Sequence, residues 1–171
     1  MDEVRSPTVH ELVEDPSSGL LIPTPGMNRA GIAINTKGFR SPELDDPKPP
    51  GTLRIAYLGG STTYCAEVSA EEITWPHIVT EQVRTRYPDH LVDYVNAGVP
   101  GYSTTQSIKN LEMRVASLDP DVIVIYHGTN DLSADTRQMA ESLGIWQGRV
   151  VNPSRWGELS TFGSCSRKTG P

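Results

Sequence analysis

A hydroxyl, a stretch of bare glycine backbone and a carboxamide stand at three matched places in this chain. The first is "RIAYLGGSTTYC" at 54–65, where an apolar run meets Gly59 and Gly60 and then Ser61. The second is "NAGVPGYSTT" from Asn96, which carries Gly98 and Gly101. The third is "HGTND", in which Asn130 and Asp131 come after the apolar "DVIVIY". A serine hydroxyl attacks an ester carbonyl. Backbone N–H groups and a side-chain amide can hold the oxyanion that then forms. The three segments perform acyl transfer only if the fold brings them together.

The elements between them supply the means. Residues 53–58, 91–95 and 121–126 read as strands, the last apolar throughout and so expected to be buried on both faces. A helix is predicted over 74–87, with Thr74 as cap, Pro76 in the first turn and Trp75, Ile78, Val79 and Val83 on its inward face. A second helix, capped at Ser103 or Thr104, has Ile108, Leu111, Val115 and Leu118 as its inward stripe, and Asp119-Pro120 stops it. Strand, helix, strand, helix, strand is the pattern of a parallel sheet covered by helices. Ligands bind such sheets outside the carboxyl ends of the strands, which is where all three segments fall.

Around this core, residues 51–143, composition changes. Residues 1–50 are rich in proline and glycine and read as an extended arm or hairpin, with Ile32 and Ile34 alternating as in a half-exposed strand. Residues 144–171 lose all periodicity and read as an irregular tail. Of 171 residues, 36% are hydrophobic, with 14 prolines and 15 glycines, in keeping with a folded centre and loop-rich ends. A net charge of −6 without a Lys/Arg block argues against a nucleic-acid partner. Apolar runs are far shorter than the roughly 20 residues of a membrane span, and no signal peptide is visible. No compartment is indicated. Cys65 and Cys165 are too few and too far apart for a disulfide framework or a zinc site, and neither a metal nor a cofactor is expected.

"GGST" with Ser61, "NAGVPG" with Gly101 and "GTND" with Asn130 resemble the first three sequence blocks of the SGNH hydrolases, also called GDSL-type esterases. The likeness runs from about Asn35 to Asp131 and includes the lead-in "NTKGFR" and "KPPGTLRIAYLGGSTT". It departs from the family name in one place, Gly-Gly-Ser for Gly-Asp-Ser. The resemblance implies a three-layer α/β/α, flavodoxin-like fold. It makes Ser61 the nucleophile and puts the oxyanion donors at the Ser61 N–H, the Gly101 N–H and the Asn130 side-chain amide. Gly98 is then left to the turn, Thr62 and Thr63 to local capping, and Asp131 to bracing the loop or capping the segment after it.

The family's general base is a histidine three residues after an aspartate, near the C-terminus. None of His10, His77, His90 and His127 has an aspartate three positions before it, and no histidine comes after 127. His127 lies next to the third strand, but in the wrong block to serve Ser61. The chain is therefore expected to be the N-terminal portion of a carboxylic ester hydrolase acting on small O-acyl esters, with nucleophile and oxyanion hole present and the acid–base pair and last part of the sheet missing. Such a chain is a gene fragment, a frameshift product or a protein that has lost catalysis. Its third strand should leave an apolar edge and face uncovered, lined by Val122, Ile123, Val124 and Ile125, and open to self-association. The alternative is a non-catalytic α/β module that holds an acyl or sugar ligand in the same crevice. Nucleotide binding ranks last, because no Walker lysine stands after the glycines.

Overall fold

In the computed structural model, residues 11–144 are described. The irregular tail expected over 144–171 falls, apart from Gly144, outside the described residues, as do His10 and Cys165.

Three parallel strands form the centre: β5 (Thr52–Gly59) in the middle, β6 (Leu91–Asn96) on one side and β7 (Val122–Tyr126) on the other. The registers align the strand ends, with Tyr57 opposite Asn96 and Gly59 opposite Tyr126. Alternate residues face opposite layers, as a two-residue repeat demands. Ile55, Tyr57, Val92 and Tyr94 pack with Trp75 and Val83 of α2 (Trp75–Arg86). Ala56, Leu58 and Val95 pack with Val115, Leu118 and Phe39 on the other face. The result is the expected α/β/α arrangement about a parallel sheet.

Both predicted helices form, each with only part of its expected face inward: Trp75 and Val83 of the first and Leu111, Val115 and Leu118 of the second pack on the core. Thr74 caps α2, its hydroxyl accepting from the His77 N–H at 3.4 Å. The buried residues, however, are Pro76 and Thr80, whereas Ile78 and Val79 are exposed. Tyr57 decides this: its buried phenol needs a partner and finds the Thr80 hydroxyl at 3.1 Å. In α3 (Thr104–Asn110), Ser103 is the cap and its N–H donates to Gln106 Oε1 at 2.8 Å. Ser107 and Asn110 point inward and Ile108 outward. The Asn110 amide donates to the Ala97 carbonyl at 3.1 Å, satisfying the loop after β6. A π turn over Leu111–Val115 then resets the face, so that Val115 and Leu118 are buried. Asp119, in the left-handed region at φ 54°, ends the helix before Pro120.

β7 is not buried on both faces. Val122, Ile123, Ile125 and Tyr126 are all exposed, Ile125 by 59%. Among the described residues β7 pairs only with β5, and α4 (Thr129–Ser142), the next element, buries none of its residues.

Across 11–50 the proline-rich zone, expected as an extended arm or hairpin, folds into short paired strands. It forms two antiparallel hairpins, β1 (Leu12–Glu14) with β2 (Leu21–Pro23) and β3 (Asn28–Arg29) with β4 (Ile32–Ala33). Leu20 and Ile22 pack on Val99 and Tyr102, and Ile32 and Ile34 on Tyr64 and Ala66. Its apolar residues thus close over the segments after β5 and β6. Asn35, expected on a half-exposed strand, is buried. Its Oδ1 accepts from the Lys37 and Phe39 N–H groups at 3.0 and 2.9 Å. At the opposite end of the sheet, Arg54 is wholly buried and grips its cross-strand neighbour Asp93 bidentately at 2.7 and 2.9 Å. No helix among the described residues is long and apolar enough to cross a membrane.

Candidate active site

β5 runs straight into α1 (Ser61–Tyr64), so Ser61 is the first residue of a helix that begins one residue past the strand. The first amides of a helix have no partner within it. Two glycines make the turn, for a reason that the structure supplies. A Cβ at Gly59 would overlap Thr63 Oγ1 and lie 2.6 Å from the Tyr126 carbonyl. A Cβ at Gly60 would lie 2.8 Å from Asn130 Nδ2 and 3.3 Å from the Tyr102 carbonyl. The glycines are therefore where the segments after β6 and β7 close onto the start of α1. The apolar strand ends abruptly there because no side chain fits.

Asn130 is the second residue of α4. Its amide nitrogen donates to the Tyr102 carbonyl at 2.7 Å. That uses one of its two N–H bonds. It sits beside Gly60, not in the core and not at a remote edge of the sheet. Asp131 does not cap its own helix. Its two oxygens accept from the Thr104 N–H at 2.9 Å and the Thr104 hydroxyl at 3.0 Å, capping α3 from across the crevice. These bonds, the Thr104 N–H foremost, hold its carboxyl below the usual carboxylate range.

The two glycines after β6 serve different local purposes. The Tyr102 N–H returns to the Val99 carbonyl at 3.2 Å across Pro100-Gly101, and Gly101 has φ +86°. Proline before a left-handed glycine is the pattern of a type II turn, so Gly101 is the turn glycine. A Cβ there would meet nothing within 4 Å. Its N–H makes no backbone hydrogen bond among the described residues. Gly98, assigned to the turn from sequence, is a packing glycine instead. A Cβ on it would lie 2.5 Å from the Tyr64 nitrogen and 2.7 Å from the Thr63 carbonyl carbon.

His127 is turned elsewhere. Its Nε2 is 2.6 Å from the buried Ser107 hydroxyl and its Nδ1 is 3.8 Å from Asp131 Oδ2. Among the described residues no histidine is hydrogen-bonded to Ser61. His77 contacts Tyr94 and Glu71 beside α2, at 3.4 and 3.9 Å. The described residues include no group of three His, Cys, Asp or Glu able to hold a metal ion. Cys65 is buried and unbridged, and burial pushes its thiol up.

Residue by residue, sequence reasoning missed Asn96 and Trp75 at this site. Asn96, fully buried at the end of β6, donates to the Thr63 carbonyl at 2.9 Å and accepts from the Gly98 N–H at 3.1 Å. The Trp75 indole donates to the Thr62 carbonyl at 2.9 Å, and its ring meets Tyr126 edge-on at 6.1 Å. The only signal for Asn96 was a polar residue closing an apolar strand.

The profile of the GDSL-like lipase/acylhydrolase family matches residues 57–147. The chain belongs to that family. Its matched span opens inside β5, just ahead of Ser61, and takes in Gly101 and Asn130. Solved structures with similarity include a two-domain esterase active on acetylated mannans, at 31% identity over 47% of this chain and 22% of that one, with a TM-score of 0.45. Another is an acetyl xylan esterase variant from Geobacillus stearothermophilus, at 23% identity over 52% of this chain and 45% of that one, with a TM-score of 0.43. The chain thus spans less than half the length of either. Among curated proteins nothing matches it.

Proposed function

We propose that this chain carries the nucleophile and oxyanion hole of a serine ester hydrolase acting on small O-acyl esters. The observation that supports it best is the closure at Gly60. Only a residue without a side chain lets Asn130 and the Tyr102 peptide lie against the residue preceding Ser61. In this reading the Ser61 hydroxyl adds to the ester carbonyl. The carbonyl oxygen, now anionic, is held by the Ser61 N–H, the Gly101 N–H and the second N–H of Asn130. Donors fixed by the fold ahead of reaction would cost little reorganisation as charge develops. The C–O bond to the alcohol then breaks, and water later releases the acid from Ser61.

The hydroxyl proton needs an acceptor, and His127 is not assigned that role because Ser107 occupies its Nε2. The family's Asp-x-x-His pair has no counterpart in the 171 residues. Oxyanion stabilisation and binding alone sustain roughly 10³–10⁴-fold acceleration over water in serine proteases stripped of triad members. Slow hydrolysis of p-nitrophenyl acetate is therefore expected. A fluorophosphonate probe should label the protein at Ser61, as mapped by mass spectrometry, and Ser61→Ala should remove both signals. A folded wild-type protein that resists the probe would instead support the ligand-holding module.

A further inference from the structure

Residue 40 lies outside the family match and within the zone that sequence pattern set apart from the core. Its guanidinium is nevertheless fully buried against α1. One nitrogen donates to the Tyr64 carbonyl at 3.0 Å and the Cys65 carbonyl at 2.6 Å, and the other to the Val68 carbonyl at 2.6 Å. The charge also stands over the Tyr64 ring, 5.2 Å from its centre. Three carbonyls within five residues are thus gathered by one side chain.

A four-residue helix explains the need. Its last carbonyls have no intrahelical N–H to accept from, and Cys65, left-handed at φ 60°, ends it at once. Such a turn is marginal by itself, since nucleation costs more than one turn returns. Here each carbonyl is met from outside: Thr62 by Trp75, Thr63 by Asn96, and Tyr64 and Cys65 by Arg40. The arginine meets the most of them and carries the only charge. Burial lowers its pKa, and its Nε finds no partner, so the protein bears a desolvation cost to keep it there. The loop that delivers it is stiff. Asn35 holds the Lys37 and Phe39 amides, and Gly38 takes φ +80° with its would-be Cβ only 3.0 Å from the Pro23 carbonyl.

We propose that Arg40 is a positioning residue for Ser61, fixing the nucleophile by capping the far end of the single helical turn that begins with it. The proposal rests on the reading of Ser61 as nucleophile. The N-terminal zone is then part of the site's machinery and not a lead-in to it.

The test compares Arg40→Lys with Arg54→Lys in the full chain. Arg54 is an equally buried arginine that clamps Asp93 at the other end of β5. Both variants should lower Tm. With fluorophosphonate, and rates expressed per folded molecule, Arg40→Lys should reduce kinact roughly 10- to 100-fold with KI unchanged, the scale of a misplaced reacting group. Arg54→Lys should leave both constants at wild-type values. Trp75→Phe, which keeps the ring and removes the indole donor, should lower kinact by less than Arg40→Lys. It serves if Arg40→Lys does not fold. Hydrogen exchange supplies the second readout: the Tyr64 and Ala66 amides should exchange faster in Arg40→Lys, or in Trp75→Phe, than in Arg54→Lys. Equal kinact in the Arg40 and Arg54 variants, or unchanged exchange at these amides, overturns the proposal. If wild-type Ser61 takes no label at all, the esterase reading falls, and exchange alone decides whether Arg40 orders the turn.

Discussion

Replacing Gly60 by alanine should separate activity from stability. The new methyl would lie 2.8 Å from Asn130 Nδ2, so the amide must retreat by about 0.6 Å to reach ordinary contact at 3.4 Å. Oxyanion donors act over a narrow window, about 2.7–3.1 Å from the oxygen they stabilise, so a shift of that size removes one of them. The expected loss is about 10²–10³-fold in Ser61 acylation, or roughly 3–4 kcal/mol of transition-state energy. Folding should suffer far less. The displaced Asn130–Tyr102 hydrogen bond is worth about 1 kcal/mol net. Gly60 has φ −88°, so no left-handed penalty applies. The assay is fluorophosphonate labelling beside a thermal melt of the same sample. A labelling rate within threefold of wild type, in a variant that melts normally, would refute the role of Asn130 as donor. A loss of several kcal/mol of stability would show that Gly60 is needed for packing instead.

The same contacts set two further outcomes. His127→Ala leaves the buried Ser107 hydroxyl without its 2.6 Å partner and should cost about 1–3 kcal/mol of stability, read by denaturant melts, while Ser61 labelling stays nearly unchanged; a labelling loss matching that of Ser61→Ala would make His127 the base after all. Asp131 titrates below its unfolded value of about 3.9, so its contribution to stability is complete above that pH and lost as pH falls through the lower folded value. The Tm gap between wild type and Asp131→Asn should accordingly be widest near neutrality and narrow towards pH 3, and a gap independent of pH would contradict the assignment.

The alternation of apolar runs and helical stripes was enough to establish a parallel α/β sheet with three chemically equipped strand ends, because each element's period is local to its own residues. The same holds for Thr74 and Ser103 as caps, whose signal lies within four positions of chain. Ser61, Gly101 and Asn130 were legible as candidates because strand ends in such a sheet share one rim. What each glycine is for was not. Gly98 and Gly101 look alike in sequence, yet one admits the Thr63–Tyr64 backbone and the other takes a left-handed turn. Helix faces were misread at Ile78, Val79 and Ile108, where buried hydroxyl and amide groups claimed the inward side to pair with Tyr57, His127 and Ala97. The apolar run of β7, read by itself, implied burial on both faces, because such a run records what a strand would accept, not which neighbours reach it; the uncovered face also expected of it is the one the described residues show. The role of Arg40, the last residue of the lead-in "NTKGFR", was not legible: its partners lie 24 to 28 residues along the chain, and only folding decides that the Tyr64, Cys65 and Val68 carbonyls will stand where its guanidinium arrives.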